Sequence, residues 1–307
     1  MQDRQIIGLI ATFVAVAELG SFKRAAEVIG RSPSAVTTQI NQLEELLGVR
    51  LLVRTTRNVR LSSAGEQFLG RGRRLLNETE RLIRDFRGQG DKLAGKVELS
   101  VSPTIAVSLV PKVLHLLSDE HPDVKITLYE GLRDDVLNSV ERGAVDFGIG
   151  PYADVPQSLS FERIFEQLFH LILPEKHPIA RRGFATPADL HGLDLLCAST
   201  GATARAVLEE IARDAGLTVI PRYETLQYPT LYALVAGGLG ATVMPVVDPN
   251  FLAASRLVAV PFQGRKVSRT IGIISRRGEP ITAVSQLFIR AIQETALRYR
   301  DHFQLSV

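Results

Sequence analysis

The stretch that decides the reading is Phe22-Lys23-Arg24-Ala25-Ala26-Glu27-Val28-Ile29-Gly30-Arg31-Ser32-Pro33-Ser34-Ala35-Val36-Thr37-Thr38-Gln39-Ile40-Asn41. Ser21 stands ready to cap a short helix over 22–29, in which Ala25 and Ala26 are small enough to let another helix cross closely. Gly30 marks a turn. Ser32 followed by Pro33 is a strong start for the next helix, because the Ser hydroxyl accepts an orphan backbone N–H while Pro at the first helical position gives up nothing. The spacing predicts that helix over 33–47, with Val36, Ile40, Leu43 and Leu47 as its core stripe. Ser34, Thr37, Thr38 and Asn41 then fall on the other faces, beside the capping Ser32. Short hydroxyls and amides of this kind reach base edges and phosphates without blocking the approach of a helix to a major groove. They also suit a merely solvated helix surface. A short helix, a tight glycine turn and a capped helix with a polar outer face together predict a helix-turn-helix.

Working outward, Ile6, Leu9, Ile10, Phe13, Val14 and Ala17 share one face of a preceding helix that Gly20 stops. On the other side, residues 50–62 alternate apolar and polar around Thr55-Thr56-Arg57-Asn58, which predicts a small hairpin, a wing. Arg54, Arg57 and Arg60 lie in or beside it, placed to clasp phosphates or enter a minor groove. Over 63–87 the apolar pairs Phe68/Leu69, Leu75/Leu76 and Leu82/Ile83 recur every seven residues, a coiled-coil pattern. Gly65, Gly72, Thr79 and Phe86 keep the same period on the adjoining position, where the small ones would admit a partner helix. A single amphipathic helix packed on its own chain would need a similar pattern.

Charge follows the same division. Residues 1–90 hold 14 Lys and Arg, nearly all Arg, against 9 Asp and Glu; the remainder holds 22 against 24. A basic terminal module on a slightly acidic larger body fits a polyanion binder attached to something with another task. The chain length of 307 and apolar content of 45% suit two or three folding units. The N-terminus lacks the apolar run of a signal peptide, no stretch approaches the roughly 20 apolar residues of a membrane helix, and the single Cys197 excludes an intramolecular disulfide. A cytoplasmic protein without membrane contact is expected.

Gly88-Gln89-Gly90-Asp91 reads as a hinge, after which strands and helices alternate. Strands are expected over 97–101, 124–129 and 145–149, with helices over 104–118 and 134–142 between them, a βαβαβ series. Strands near 168–173, 193–197, 241–243 and 270–274 follow, with helices over 203–215, 230–237 and 281–303. Two α/β lobes are the natural architecture, and ligands of such sheets sit beyond the carboxyl ends of strands. Ser102-Pro103-Thr104 joins the first strand to its helix, where backbone N–H groups favour an anion. Thr200-Gly201-Ala202-Thr203 is the comparable turn of the second lobe, and Gln227 and Thr230 lie before another helix. Ordinary N-capping asks for the same residue types. Two such turns on one cleft predict a ligand site, with a small carboxylate or aromatic acid as its occupant.

Catalytic constellations are poor. The six histidines lack HExxH or any compact metal spacing, His177-Pro178 reads as a turn, and neither a G-x-S-x-G elbow nor a phosphate loop is present. No cofactor, no metal and no enzymatic activity are expected.

These residues resemble the LysR-type transcriptional regulators. The resemblance rests on Phe13-Val14-Ala15-Val16-Ala17-Glu18-Leu19-Gly20-Ser21-Phe22, Ala25-Ala26-Glu27, Ser32-Pro33-Ser34-Ala35-Val36-Thr37, Leu43-Glu44-Glu45-Leu46-Leu47-Gly48, Arg54-Thr55 and Leu61-Ser62-Ser63-Ala64-Gly65. It extends less specifically through Gly143-Ala144-Val145-Asp146-Phe147-Gly148-Ile149, His177-Pro178, and Leu234-Val235-Ala236-Gly237-Gly238-Leu239-Gly240-Ala241. Two positions depart: the family often has Gln where Pro33 stands, which removes a base-contacting amide, and Leu-Phe where Leu51-Leu52 stand. The resemblance implies a winged helix-turn-helix within 1–62, a linker and dimerisation helix with its hinge over 63–90, and an effector domain over 91–307. That domain would resemble the type 2 periplasmic binding proteins, with one lobe over 91–160 and 268–307 and the other over 161–267. It further implies a regulator that binds double-stranded promoter DNA as a dimer and tetramer, answers a small-molecule effector and acts on RNA polymerase.

Overall fold

The computed structural model describes residues 3–54, 59–87, 95–152, 154–299 and 305–306. The chain divides into two compact units, Met1–Asp91 with Arg142–Ala144, and Lys92–Glu141 with Val145–Val307.

The first unit packs three helices under a hairpin and a long fourth helix: α1 (Asp3–Leu19), α2 (Phe22–Val28), α3 (Pro33–Leu47), β1 (Leu52–Arg54), β2 (Val59–Leu61) and α4 (Ser63–Arg87). Its boundaries follow local chemistry. Gly20 takes φ +61° after α1 and Gly48 takes +68° after α3, conformations that Cβ-bearing residues resist. Ser21 Oγ accepts the Arg24 N–H at 3.3 Å and Ser32 Oγ accepts the Ala35 N–H at 3.2 Å. Phe13, Val16, Ala25, Ala26, Val36, Ile40 and Leu43 form a core with essentially no solvent contact.

Two expectations need correction here. Leu47 is not part of the core stripe of α3; it is exposed, and Glu44 is buried instead. Gly65 and Gly72 do not await a partner helix but face their own chain. A Cβ on Gly65 would stand 2.0 Å from the Leu51 carbonyl oxygen, and one on Gly72 would stand 3.1 Å from Ile10 Cγ2. Phe68 meets Phe13 edge-on at 5.4 Å, and Leu69 and Leu76 pack on the same core, whereas Leu75, Leu82 and Ile83 are exposed. The seven-residue repeat thus has its N-terminal half folded against α1. The Phe86 side chain, the turn 55–58 and the hinge 88–91 lie outside the described residues.

The second unit runs β3 (Gly95–Val101), α5 (Pro103–Ser108), α6 (Val110–Glu120), β4 (Val124–Glu130), α7 (Arg133–Glu141), β5 (Phe147–Pro151), β6 (Leu159–Pro174) and α8 (Pro178–Arg182). After a 3₁₀ turn (Pro187–Gly192) come β7 (Leu196–Ala198), α9 (Thr203–Asp214), β8 (Tyr223–Thr225), α10 (Tyr228–Ala236), β9 (Thr242–Pro245), α11 (Pro249–Ala254), β10 (Leu257–Val260), β11 (Ser268–Arg276), α12 (Ala283–Arg298) and β12 (Leu305–Ser306). Strand β3 lies between parallel partners β4 and β5, as βαβ connections require, and β11 and then β6 continue the sheet antiparallel. Past Leu168 the same β6 leaves β11 and pairs with β9 and β10. Two large cores result, one around Leu99, Phe147, Phe165 and Phe288, the other around Leu171, Leu196, Ile211 and Tyr232, with a smaller cluster around Val136, Val140 and Ile274.

Here too the sequence reading is amended. The helix expected over 104–118 is two helices, broken at Leu109, because Pro111 has no N–H to give and its ring crowds the preceding turn. Strand β6 is 16 residues long rather than six, its first half disguised by Glu162, Arg163, Glu166 and Gln167. His177-Pro178 opens the short helix α8, with His177 Nδ1 accepting the Ile179 N–H. The expected end of α12 at 300–303 lies outside the described residues. Among those described, no helix is long and apolar enough to cross a membrane.

Gly65→Ala is expected to lower stability by about 1–3 kcal/mol through overpacking against Leu51, whereas Gly70→Ala, with nothing within 4 Å, should raise it by about 0.5–1 kcal/mol. Urea denaturation midpoints of the two variants, moving in opposite directions, check this.

Candidate functional site

In the first unit the residues expected to meet nucleic acid divide between α3 and the hairpin. Ser32, Ser34, Thr38 and Asn41 are exposed and Thr37 is half-buried. Thr37 Oγ1 donates to the Pro33 carbonyl and Thr38 Oγ1 to the Ser34 carbonyl, each at 3.0 Å, while Ser32 and Ser34 share a hydroxyl contact at 3.0 Å. With their protons turned back on the helix, the two threonines present acceptor lone pairs outward. Arg60 is exposed on β2, directly across from Val53. Arg54 stands on β1, with its side chain outside the described residues, as is Arg57 altogether.

Sequence reasoning missed the residue that holds this face together. Glu44, 5% exposed, accepts the N–H groups of Leu51 and Leu52 on Oε1 at 2.8 and 3.0 Å and the Arg50 guanidinium on Oε2 at 2.8 Å. It ties α3 to the start of the hairpin. Ser62 adds a second tie, donating Oγ–H to the Arg50 carbonyl at 2.6 Å and accepting the Gly65 N–H. Burial by itself would raise the Glu44 carboxyl, but the Leu52 N–H, the Arg50 guanidinium and the Leu51 N–H outweigh it and hold the group below its ordinary value of 4.5.

The second unit holds a small cavity of about 50 Å³. Of the residues expected at a ligand site, Ser102, Thr104 and Thr203 line it; Thr200, Gly201, Gln227 and Thr230 are not among its lining residues. Gln227 and Thr230 are exposed. Ser102 and Thr104 are buried at the β3–α5 turn, and Ala202 and Thr203 begin α9. Since α5 has only six residues, the long helix dipole anticipated behind Ser102 is absent. β11 brings a charge to the cavity instead. Arg269, partly buried, donates Nε and Nη2 to Gln167 Oε1 at 3.0 and 2.6 Å, and Nη2 to Thr104 Oγ1 at 2.6 Å. Burial pulls its guanidinium down to about 10, still protonated at neutral pH. With Arg265, Lys266, Arg276 and Arg277 close by in the sequence, nothing local marked Arg269 as the arginine that reaches the cavity.

Tyr228, Leu231, Met244 and Leu132 supply the apolar wall. Burial, reinforced by the Glu130 and Asp248 carboxylates, pushes the Tyr228 phenol up to about 12, so it remains a donor. His170, just along β6, is buried, and burial takes it down to about 4, so it stays neutral. The lone Cys197 is fully buried on β7 and burial pushes its thiol up.

Comparison with known proteins accords with this geometry. The model of the bacterial regulatory helix-turn-helix protein, lysR family, matches residues 7–66, and that of the LysR substrate binding domain matches residues 90–297. The DNA-binding transcriptional dual regulator OxyR of Escherichia coli is 30% identical over 293 residues, covering 94% of each chain. A probable hydrogen peroxide-inducible genes activator of Streptomyces viridosporus is 31% identical over 295 residues, covering 93% of this chain and 92% of the relative. Among solved structures, a full-length OxyR variant from Pseudomonas aeruginosa superposes with a TM-score of 0.76 at 21% identity, covering 94% of each chain. Full-length CbnR in complex with its target DNA gives 0.69 at 20% identity, covering 94% of this chain and 99% of that one.

Because the Glu44 carboxyl is depressed in the folded state, its contribution is full above about pH 4.5 and is lost as pH falls through the folded value. Glu44→Gln is expected to cost about 1–3 kcal/mol at neutral pH and to flatten the acid limb of stability. Thermal unfolding from pH 7 to pH 3 measures both.

Proposed function

Since the chain belongs to the lysR family of bacterial helix-turn-helix transcription regulators, we propose that α3 and the hairpin after it read promoter DNA and that the cavity lined by Ser102, Thr104 and Thr203 takes the effector. The protein is a DNA-binding regulator with an effector-binding domain, not an enzyme. The observation that carries the DNA reading is the exposed hydroxyl and amide face of α3, with Arg60 exposed on the hairpin that follows. Ser32, Ser34, Thr37, Thr38 and Asn41 serve base edges and phosphates, and Arg54, Arg57 and Arg60 serve the backbone and minor groove.

The working arrangement is a winged domain through residue 62, a linker helix and hinge over 63–90 and a two-lobed effector domain from 91. The exposed Leu75, Leu82 and Ile83 form the dimerising stripe of α4, and dimers pair as a tetramer on one operator region in the cytoplasm. A carboxylate or aromatic acid binds differently to two states of the effector domain, shifts their populations, and so changes how the paired winged domains sit on DNA and whether RNA polymerase is engaged. Thr200, Gly201, Gln227 and Thr230 belong to the outer ring of this site rather than its lining. Hydrogen peroxide induction appears in the names of several relatives. In this chain the lone cysteine is enclosed in β7 with its thiol pushed up, which favours reversible ligand binding over thiol oxidation.

A gel-shift titration against the DNA upstream of the coding sequence tests the reading. A specific, competitor-resistant complex is expected, and Arg60→Ala should weaken it on all sequences alike while lowering the salt-dependence slope by about 1. Unaltered affinity and slope would remove Arg60 from the interface. In analytical ultracentrifugation the protein is expected to sediment as a dimer or larger at micromolar concentration, and Leu82→Asp, placing a charge on the exposed stripe, should shift it toward monomer.

A further inference from the structure

Helix α12 carries two seams at heptad spacing. One, through Ser285, Phe288, Ile292 and Thr295, is buried in its own unit. The other, through Ala283, Leu287, Arg290, Glu294 and Leu297, advances by steps of four and three residues, the spacing that keeps one face turned toward a partner helix. This second seam looks away from the core. Ala283, Arg290 and Glu294 are exposed, Leu287 is half-buried, and Leu297 is 56% exposed.

A single exposed leucine needs no explanation; the order of the seam does. Its last four members read leucine, arginine, glutamate, leucine. Turned end over end onto a copy of itself, the seam sets Leu287 against Leu297 and Arg290 against Glu294, and symmetry repeats both contacts. Laid in the same direction, it would set arginine against arginine and glutamate against glutamate, which like-charge repulsion disfavours. Neither charge is spent inside the chain. Among the described residues Arg290 and Glu294 have no ion-pair partner, although they stand four residues apart, whereas Arg205 and Glu209 at the same spacing are joined.

The surroundings leave room for a helix. Beside the seam, α6 and α12 border a groove of about 600 Å³, with the buried Leu117, Ala291 and Thr295 at its floor and the exposed Leu116 at its edge. Its charges, Arg290 and Arg298 against Glu120 and Glu294, cancel. Neither an acidic nor a basic segment gains by entering it, while a partner that brings both signs in inverted order does.

We propose that this face docks a second copy of the chain, α12 against α12 in antiparallel sense, about a two-fold axis level with Ile292. The reciprocal ion pairs set direction and register more than strength. One pair of 16-residue helices, about 24 Å long, is a small interface beside the roughly 1,200–2,000 Å² of a stable complex, so the contact adds to an assembly also held elsewhere.

The test uses the full-length protein at micromolar concentration. Leu287→Cys and Leu297→Cys in one chain place thiols that face each other across the axis but lie about 15 Å apart along their own helix. Mild oxidation with copper phenanthroline is expected to give a disulfide-linked dimer on a non-reducing denaturing gel. Leu297→Cys alone, whose two copies also stand about 15 Å apart, and the unaltered chain, with Cys197 buried, should not cross-link. In the double-cysteine background Arg290→Glu and Glu294→Arg are each expected to lower the yield roughly fivefold or more, and the two together to restore it, because the pairs re-form with their signs exchanged. Circular dichroism confirms that each variant is folded. No cross-link, equal cross-linking by Leu297→Cys alone, insensitivity to either reversal, or failure of the combined reversal to restore the yield overturns the proposal.

Discussion

The second unit depends on the pairing of β6 with β11. Nine residue pairs, from Ser268 opposite Leu168 to Arg276 opposite Leu159, tie together two segments far apart in the chain. The Phe169 N–H meets the Val267 carbonyl at 2.8 Å at the end of that ladder, after which β6 serves the other core through β9 and β10. The ladder shifts register between Ile271 and Gly272. A Cβ at Gly272 would stand 2.3 Å from the Glu162 carbonyl oxygen and 2.4 Å from the Phe161 ring, so only glycine lets the two strands approach there. Because Gln167 and Arg269 belong to this ladder, the arginine at the cavity stands on the strands that connect the two cores. Ser102 and Thr104 adjoin Val101 and Ile105 of one core, and Leu231 and Met244 belong to the other. An occupant of the cavity therefore touches both cores and the strands that join them.

The first unit solves a different problem. A recognition helix and a hairpin present one surface only if their angle is held, and a three-residue strand pair has little apolar area with which to hold it. Glu44 does this by electrostatics, taking two backbone N–H groups at the strand start and a guanidinium on one buried carboxylate. On the opposite side, Gly65 brings α4 against the Leu51 carbonyl, and Gly72 brings α1 against it. The close approach leaves half of the apolar pairs of α4 consumed within the unit and the exposed half free for other contacts.

How much of this was legible follows from whether a signal is local. Ser21, Ser32, Gly20, Gly30 and Gly48 announce helix ends by capping chemistry that involves only their neighbours, and the first unit reads accordingly. The period of α4 is equally plain, but a period does not say which partner a face meets, so Gly65 and Gly72 were assigned to the wrong neighbour. Pro111 was a visible breaker that a long apolar stripe overrode. The first half of β6 was hidden because its charged residues belong to a partly exposed strand, where alternation fails. The site shows the same division. Ser102, Thr104 and Thr203 sit at turns and could be found; Arg269 reaches Thr104 across 165 positions, and nothing in either local stretch announces the meeting.

The cavity and Glu44 show one physical rule used in opposite ways. In the first unit a buried charge is fully satisfied, and the result is a fixed angle. In the second, a partly buried charge is given hydrogen bonds but no counter-charge among the described residues, and a hydroxyl lining the same cavity is left without a partner. Such a site is a local departure from an otherwise consistent structure, which folded proteins tolerate chiefly where binding requires it. The incompleteness also gives direction to the response. A ligand shifts an equilibrium only by its differential affinity for the two states, and Arg269, bonded both to Gln167 of β6 and to Thr104 after β3, joins the segments that an occupant of the cavity would touch.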